Sequence, residues 1–110
     1  IFYENNYPAN ISWWWRYRVD YFDPTGYVDT SIYNGGSFRL YTDAVYLRGA
    51  HFLDDLRERM GYGNFSKFLK EYATRYSHGR ATSADFFALV HETINVDISD
   101  LLGIYFAGSY

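Results

Sequence analysis

His91-Glu92-Thr93-Ile94-Asn95 opens like the zinc motif H-E-x-x-H and then departs from it. Two histidines one turn apart on one helical face are what make that motif a ligand pair. Asn95 stands where the second histidine must be, so His91 and Glu92 read as solvated helix residues. His51 and Asp55 are also one turn apart and could share a divalent metal. No third ligand accompanies them, and they read as a surface pair. His78 falls in a turn. The chain has no cysteine, hence no thiolate nucleophile and no Cys-ligated metal. There is no nucleophile elbow and no Gly-rich fingerprint. Gly35-Gly36 lacks the lysine that a phosphate loop requires. On its own the chain does not carry a complete active site.

The element best placed to position chemistry is Thr42 to Gly61. Thr42 can cap a helix with its hydroxyl, and Asp43 puts negative charge in the first turn, where the backbone dipole favours it. Ala50, Leu53, Leu56 and Met60 recur at helical spacing and define an expected buried stripe. Gly61 follows the last apolar position and is free to take the positive φ that ends helices. Tyr46 sits at the N-terminal end of the stripe, with Gly49 close behind it. A glycine costs a helix interior about 1 kcal/mol relative to alanine, which points to close packing against the backbone there.

Before this helix, Ile1 to Tyr7 reads like the end of a helix whose start lies upstream. Pro8 fits the first position of a second helix, where its missing N–H is harmless, and Asp23-Pro24 should stop it. Residues 1–22 are therefore expected to be helical segments. Trp13, Trp14 and Trp15 advance about 100° each and cannot all face one core. They make either a stacking platform for sugar or peptide, or one helix wedged between two layers. Residues 23–41, with Asn34, Gly35, Gly36 and Ser37 among scattered aromatics, are expected to form one long loop.

From 42 to 110 capped helices are expected throughout. Asn64 is placed to cap a helix carrying Phe65, Phe68, Leu69, Tyr72, Ala73 and Tyr76. Thr82 followed by Asp85 has the form of a capping box ahead of Phe86, Leu89, Val90 and Ile94. Asp97 or Ser99 caps a last helix with Leu101, Leu102, Tyr105 and Phe106. Short connections imply neighbouring helices, so the expectation is one all-α (sub)domain over 1–110, a helical bundle of about five helices.

Composition fits that expectation. With 48% hydrophobic and 21% charged residues the 110-residue chain is globular, and it can bury roughly two-thirds of its unfolded surface. A net charge of −3 without a basic face argues against nucleic acid. No apolar run approaches the roughly 20 residues that cross a bilayer, so no membrane partner is expected. The aromatic share of 23% fits either a surplus of surface meant for burial against a partner or simply a tyrosine-rich lineage.

Val45-Tyr46-Leu47-Arg48-Gly49-Ala50 resembles the Val-Tyr-x-Lys-Gly-Ala segment of the aminopeptidase N-like (gluzincin) zinc metallopeptidases. The resemblance continues through Gly61-Tyr62-Gly63-Asn64-Phe65, Phe68-Leu69-Lys70-Glu71-Tyr72, Arg75-Tyr76 and Gly79 to Phe86. It reaches Asp97-Ile98-Ser99-Asp100-Leu101-Leu102. It thus spans nearly the whole chain, most closely from Tyr41 onward. Leu47 and Arg48 depart from the acidic residue and lysine common in the family.

The resemblance implies the C-terminal helical lobe of a thermolysin-like catalytic domain. In that family the motif tyrosine, Tyr46 here, points its hydroxyl at the substrate carbonyl and stabilises the tetrahedral oxyanion. Tyr41 matches a second tyrosine of the active-site wall, a substrate-binding position. The family's zinc ligands and its motif for the substrate amino terminus have no counterpart in these residues. Zinc is therefore expected in a full-length parent whose metal-binding half precedes Ile1. The expected partners are the rest of that catalytic domain and a peptide substrate, with self-association of the fragment. The alternative, which needs no catalysis, is a helical interaction module whose aromatics bind a protein or polysaccharide.

Overall fold

The computed structural model describes residues 1–33 and 37–110. Asn34, Gly35 and Gly36 of the expected loop lie outside the described residues. The described residues are all-helical, with no strand among them. They divide into two units, Ile1–Ala50 and His51–Tyr110.

In the first unit, α1 (Phe2–Asn6) is followed by a 3₁₀ turn, Pro8–Asn10, with the proline at its opening position as expected. Helical backbone continues through α2 (Ile11–Trp14), a π-helical turn at Trp15–Val19 and a 3₁₀ turn at Asp20–Phe22. Asp23 ends it with φ 46, in the left-handed region, just before Pro24. The three tryptophans do point different ways. Trp13 is exposed, while Trp14 and Trp15 are half-buried and meet edge to face at 5.0 Å. Val19 is the residue of this run that is fully buried.

The long loop ends sooner than the sequence suggested. α3 spans Phe38–Thr42, and its cap is Ser37, whose side chain accepts the Leu40 N–H at 3.2 Å. Ser37 has the extended backbone that an N-cap needs. Thr42 is therefore no cap. Its hydroxyl donates to the Phe38 carbonyl at 2.8 Å from inside the helical backbone. A π-helical turn, Asp43–Arg48, follows and leads to α4, Gly49–Met60.

All of α4 after Ala50 belongs to the second unit, and its buried stripe is rotated from the expected one. Phe52, Leu56 and Met60 are buried, whereas Leu53 is 40% exposed and Ala50 half-buried. Phe52 sets that phase, because its ring is surrounded by Phe86, Phe87, Tyr105 and Phe106. Gly61, at φ 82, ends α4 in a region that L side chains seldom enter. α5 spans Tyr62–Tyr76 and starts two residues before the expected cap. Asn64 lies within it and donates its side-chain amide to the Met60 carbonyl at 3.0 Å. Phe65 and Phe68 form its buried face.

α6 (Ser83–Thr93) opens on the expected capping box. Thr82 accepts the Asp85 N–H, and the Asp85 carboxylate accepts the Thr82 N–H at 2.8 Å. α7 (Ser99–Tyr105) buries Leu101 and Tyr105, and Asp97 accepts the Ser99 N–H just ahead of it. The short segments at the N-terminal end and the early start of α3 account for more helices than the expected five.

Ion pairs tie these helices together. Arg59 of α4 forks onto both carboxylate oxygens of Asp100 and also donates to the Asp97 carbonyl. Arg75 of α5 bridges Glu71 and Glu92, each at 2.8 Å. The Arg59 guanidinium holds the Asp100 carboxyl down to about 2, against an ordinary 3.8. Backbone and side-chain hydrogen bonds lower Asp85 and Asp97 as well. A carboxyl lowered in the folded state contributes its stability above its unfolded pKa and loses it as pH falls through the folded one. The Asp100 contribution should therefore be complete above about pH 4 and vanish toward pH 2. Asp100→Asn is expected to weaken the chain at neutral pH and to flatten the acid limb between those values. Denaturant unfolding followed by far-ultraviolet circular dichroism across that range would measure it.

Candidate functional site

The two tyrosines singled out by sequence lie together in the first unit, one on its second π-helical turn and one just before it. Tyr46 is inside the Asp43–Arg48 turn and Tyr41 is in α3, immediately before it. Five residues apart on a 3.6-residue helix, two side chains would point about 140° away from each other. Hydrogen bonding of the i→i+5 kind winds the backbone wider. The Tyr41 and Tyr46 rings meet edge to face, 6.4 Å apart and 87° to each other. Tyr41 is half-buried and also faces Phe38 at 6.4 Å.

Tyr46 is 63% exposed, so it is not a core tyrosine. Sequence had set it at the start of a rigid α-helix. The structure sets it in the π turn between two α-helical segments.

The surroundings of this pair are built from small residues and one buried charge. Gly26, at φ +100, lies so near the turn that a Cβ there would stand 3.0 Å from the Ala44 Cβ. A Cβ on Gly49 would be 3.8 Å from Val28, so the close packing expected at Gly49 is ordinary contact, and the tight approach is at Gly26. Asp43 is only 8% exposed. Its Oδ1 lies 2.9 Å from the Arg39 guanidinium, near enough for an ion pair but off line for a hydrogen bond. Arg39 in turn lies over the Phe22 ring at 4.2 Å. The i, i+4 spacing of Arg39 and Asp43 was a readable signal for this pair.

The other sites considered are scattered. His91 is exposed at the end of α6, Glu92 is paired with Arg75, and Asn95 lies beyond the helix. His51 is half-buried, and its neighbour Asp55 accepts the Tyr105 hydroxyl, a contact fifty residues apart that no local spacing announces. His78 occupies a turn with φ 61. Among the described residues no three His, Cys, Asp or Glu side chains lie close enough to hold a metal ion. No helix among them is long and apolar enough to cross a membrane.

No family model, no curated protein and no solved structure matches this chain. The site therefore rests on its own geometry: an exposed phenol, braced by a second ring, on a π-helical turn of the kind that recurs at functional positions. Tyr46 should be nitrated early by tetranitromethane, with Tyr33 (93% exposed) and Tyr21, and Tyr105 (6% exposed) last. Peptide mapping after brief treatment would show the order.

Proposed function

We propose that this chain belongs to the catalytic domain of a zinc metallopeptidase of the aminopeptidase N-like family, an aminopeptidase, as its C-terminal helical lobe of thermolysin-like type. Tyr46 is its oxyanion donor and Tyr41 forms part of the substrate wall. The observation that carries this reading is the exposed Tyr46 ring fixed edge to face against Tyr41. A donor must have its hydroxyl free for substrate and its position set before reaction, because a preorganised donor costs no reorganisation when charge develops.

Among the described residues no group of side chains fits a zinc site. In this reading the ligands lie in a half of the domain outside these 110 residues, and nothing in the chemistry assigned here runs through the metal. What the chain supplies is the phenolic O–H of Tyr46, donated to the peptide carbonyl oxygen as it becomes an oxyanion, and an aromatic wall beside it.

Removing one oxyanion donor from a preorganised site typically costs about 10²–10³ in kcat. Tyr46→Phe in the full-length parent should lower kcat by that order and leave KM nearly unchanged, since the bond forms chiefly in the transition state. Steady-state kinetics on an aminoacyl reporter would test it, and a kcat within about twofold of wild type would end the proposal. The residues encoded upstream of Ile1 should carry H-E-x-x-H and a glutamate about eighteen residues further on. The 110-residue chain alone should hydrolyse no such substrate.

A second reading, a non-catalytic interaction module, draws on the exposed aromatics of the first unit, among them Phe2, Trp13, Tyr17, Tyr21, Tyr33 and Phe38. Exposed apolar patches beyond a few hundred Å² commonly mark interaction surfaces. Both readings lead to self-association of the isolated chain at high concentration, measurable by sedimentation. An upstream sequence without the zinc motif would favour this second one.

A further inference from the structure

We infer that Tyr41 is a positioning residue for Tyr46, and that the π-helical turn with the loop residues behind it is the device that brings the two together. The inference rests on the reading of Tyr46 as the donor, but its geometry is independent of that reading. The five-residue repeat occurs twice in this stretch. Tyr41 and Tyr46 form the ring pair, while Ala44 and Gly49, also five apart, are the positions that meet the preceding loop at Gly26 and Val28. An α-helix cannot align either pair, because five residues turn it about 140° past the starting face. A helix wound i→i+5 over Asp43–Arg48 turns less per residue and so brings the members of each pair nearer to one face.

Each side of the device is held by something specific. Behind the turn, Gly26 leaves no room for a side chain against Ala44. At its opening, buried Asp43 is fixed by Arg39, which is itself stacked on Phe22. In front, Tyr41 is braced by Phe38 and presents its ring to the edge or face of Tyr46. Tyr46 has most of its own surface in solvent, so Tyr41 is the ring that limits where the Tyr46 phenol can swing. What Tyr41 contributes is a ring, not a hydroxyl.

The test uses the 110-residue chain with ring-labelled tyrosine, followed by NMR, in three variants checked for helix content by circular dichroism. Tyr41→Phe keeps the ring and should leave the Tyr46 ring shifts unchanged, with cross-relaxation between the two rings retained. Tyr41→Leu should move the Tyr46 shifts toward those of a free tyrosine. Gly26→Val leaves both tyrosines in place but forces a side chain into the 3.0 Å gap at Ala44, and should move the Tyr46 shifts in the same direction.

Tyr46 shifts that are the same in all three, or amide contacts of the i→i+4 kind through Asp43–Arg48, overturn the inference. In the full-length parent, Tyr41→Leu should lower kcat by up to about 10²-fold, and Tyr41→Phe, which keeps the ring, should lower it clearly less. If Tyr46→Phe leaves kcat intact while Tyr41→Leu still moves the Tyr46 ring, the catalytic reading falls and the positioning stands. If Tyr46→Phe lowers kcat while Tyr41→Leu changes neither ring nor rate, the positioning falls and the catalytic reading stands.

Discussion

The second unit depends on the edge-to-face packing of rings around Phe52. Its ring meets Phe106 at 4.9 Å, Tyr105 at 5.6 Å, Phe87 at 6.2 Å and Phe86 at 6.3 Å. Phe86 carries the contact on to Phe68 and Tyr72 of α5. Aromatic pairs prefer offset or perpendicular arrangements, so such a cluster constrains orientation as well as burying area. It therefore fixes how α4, α5, α6 and α7 face one another. The polar clamps Arg59–Asp100 and Arg75–Glu92 stand at its exposed rim, where an ion pair is worth little in energy. Their service is to pin the ends of helices whose faces the rings have already chosen.

The first unit is held by a different principle. Val19 and Ala44 are its buried apolar side chains among the described residues, and much of its aromatic surface faces solvent. Order there comes from close backbone approach at Gly26, from guanidinium-on-ring contacts, and from the Arg39–Asp43 pair. A buried carboxylate is tolerated only with its counter-ion, because removing one partner leaves an uncompensated charge in a dry place. A unit held in this way keeps a unique local geometry without a large core.

Much of the architecture was legible in the sequence, and what was missed has identifiable physical causes. The capping box of Thr82 and Asp85 is a reciprocal pattern within four residues, and it formed as read. Pro8 and the Asp23-Pro24 stop were likewise local. Thr42 and Asn64 were misread as caps because both residue types also bond to the preceding turn from within a helix, as both do here. The α4 stripe came out rotated because its phase is set by Phe52 meeting rings more than thirty residues away. Tyr46 and Tyr41 were singled out by motif alone. Their contact was not, because it depends on a change of helical winding that no propensity encodes.

The three adjacent indoles of Trp13, Trp14 and Trp15 have a consequence for how this molecule can be observed. They are the only tryptophans in the chain, and all of them belong to the unit Ile1–Ala50. Indole emission thus reports on that unit alone and is blind to loss of the Phe52 cluster. Helical ellipticity weights the longer helices α4, α5 and α6. A melting curve read at the indole and one read at the backbone are therefore signals from different bodies. Their coincidence or separation is a direct measure of whether the two unfold as one cooperative system.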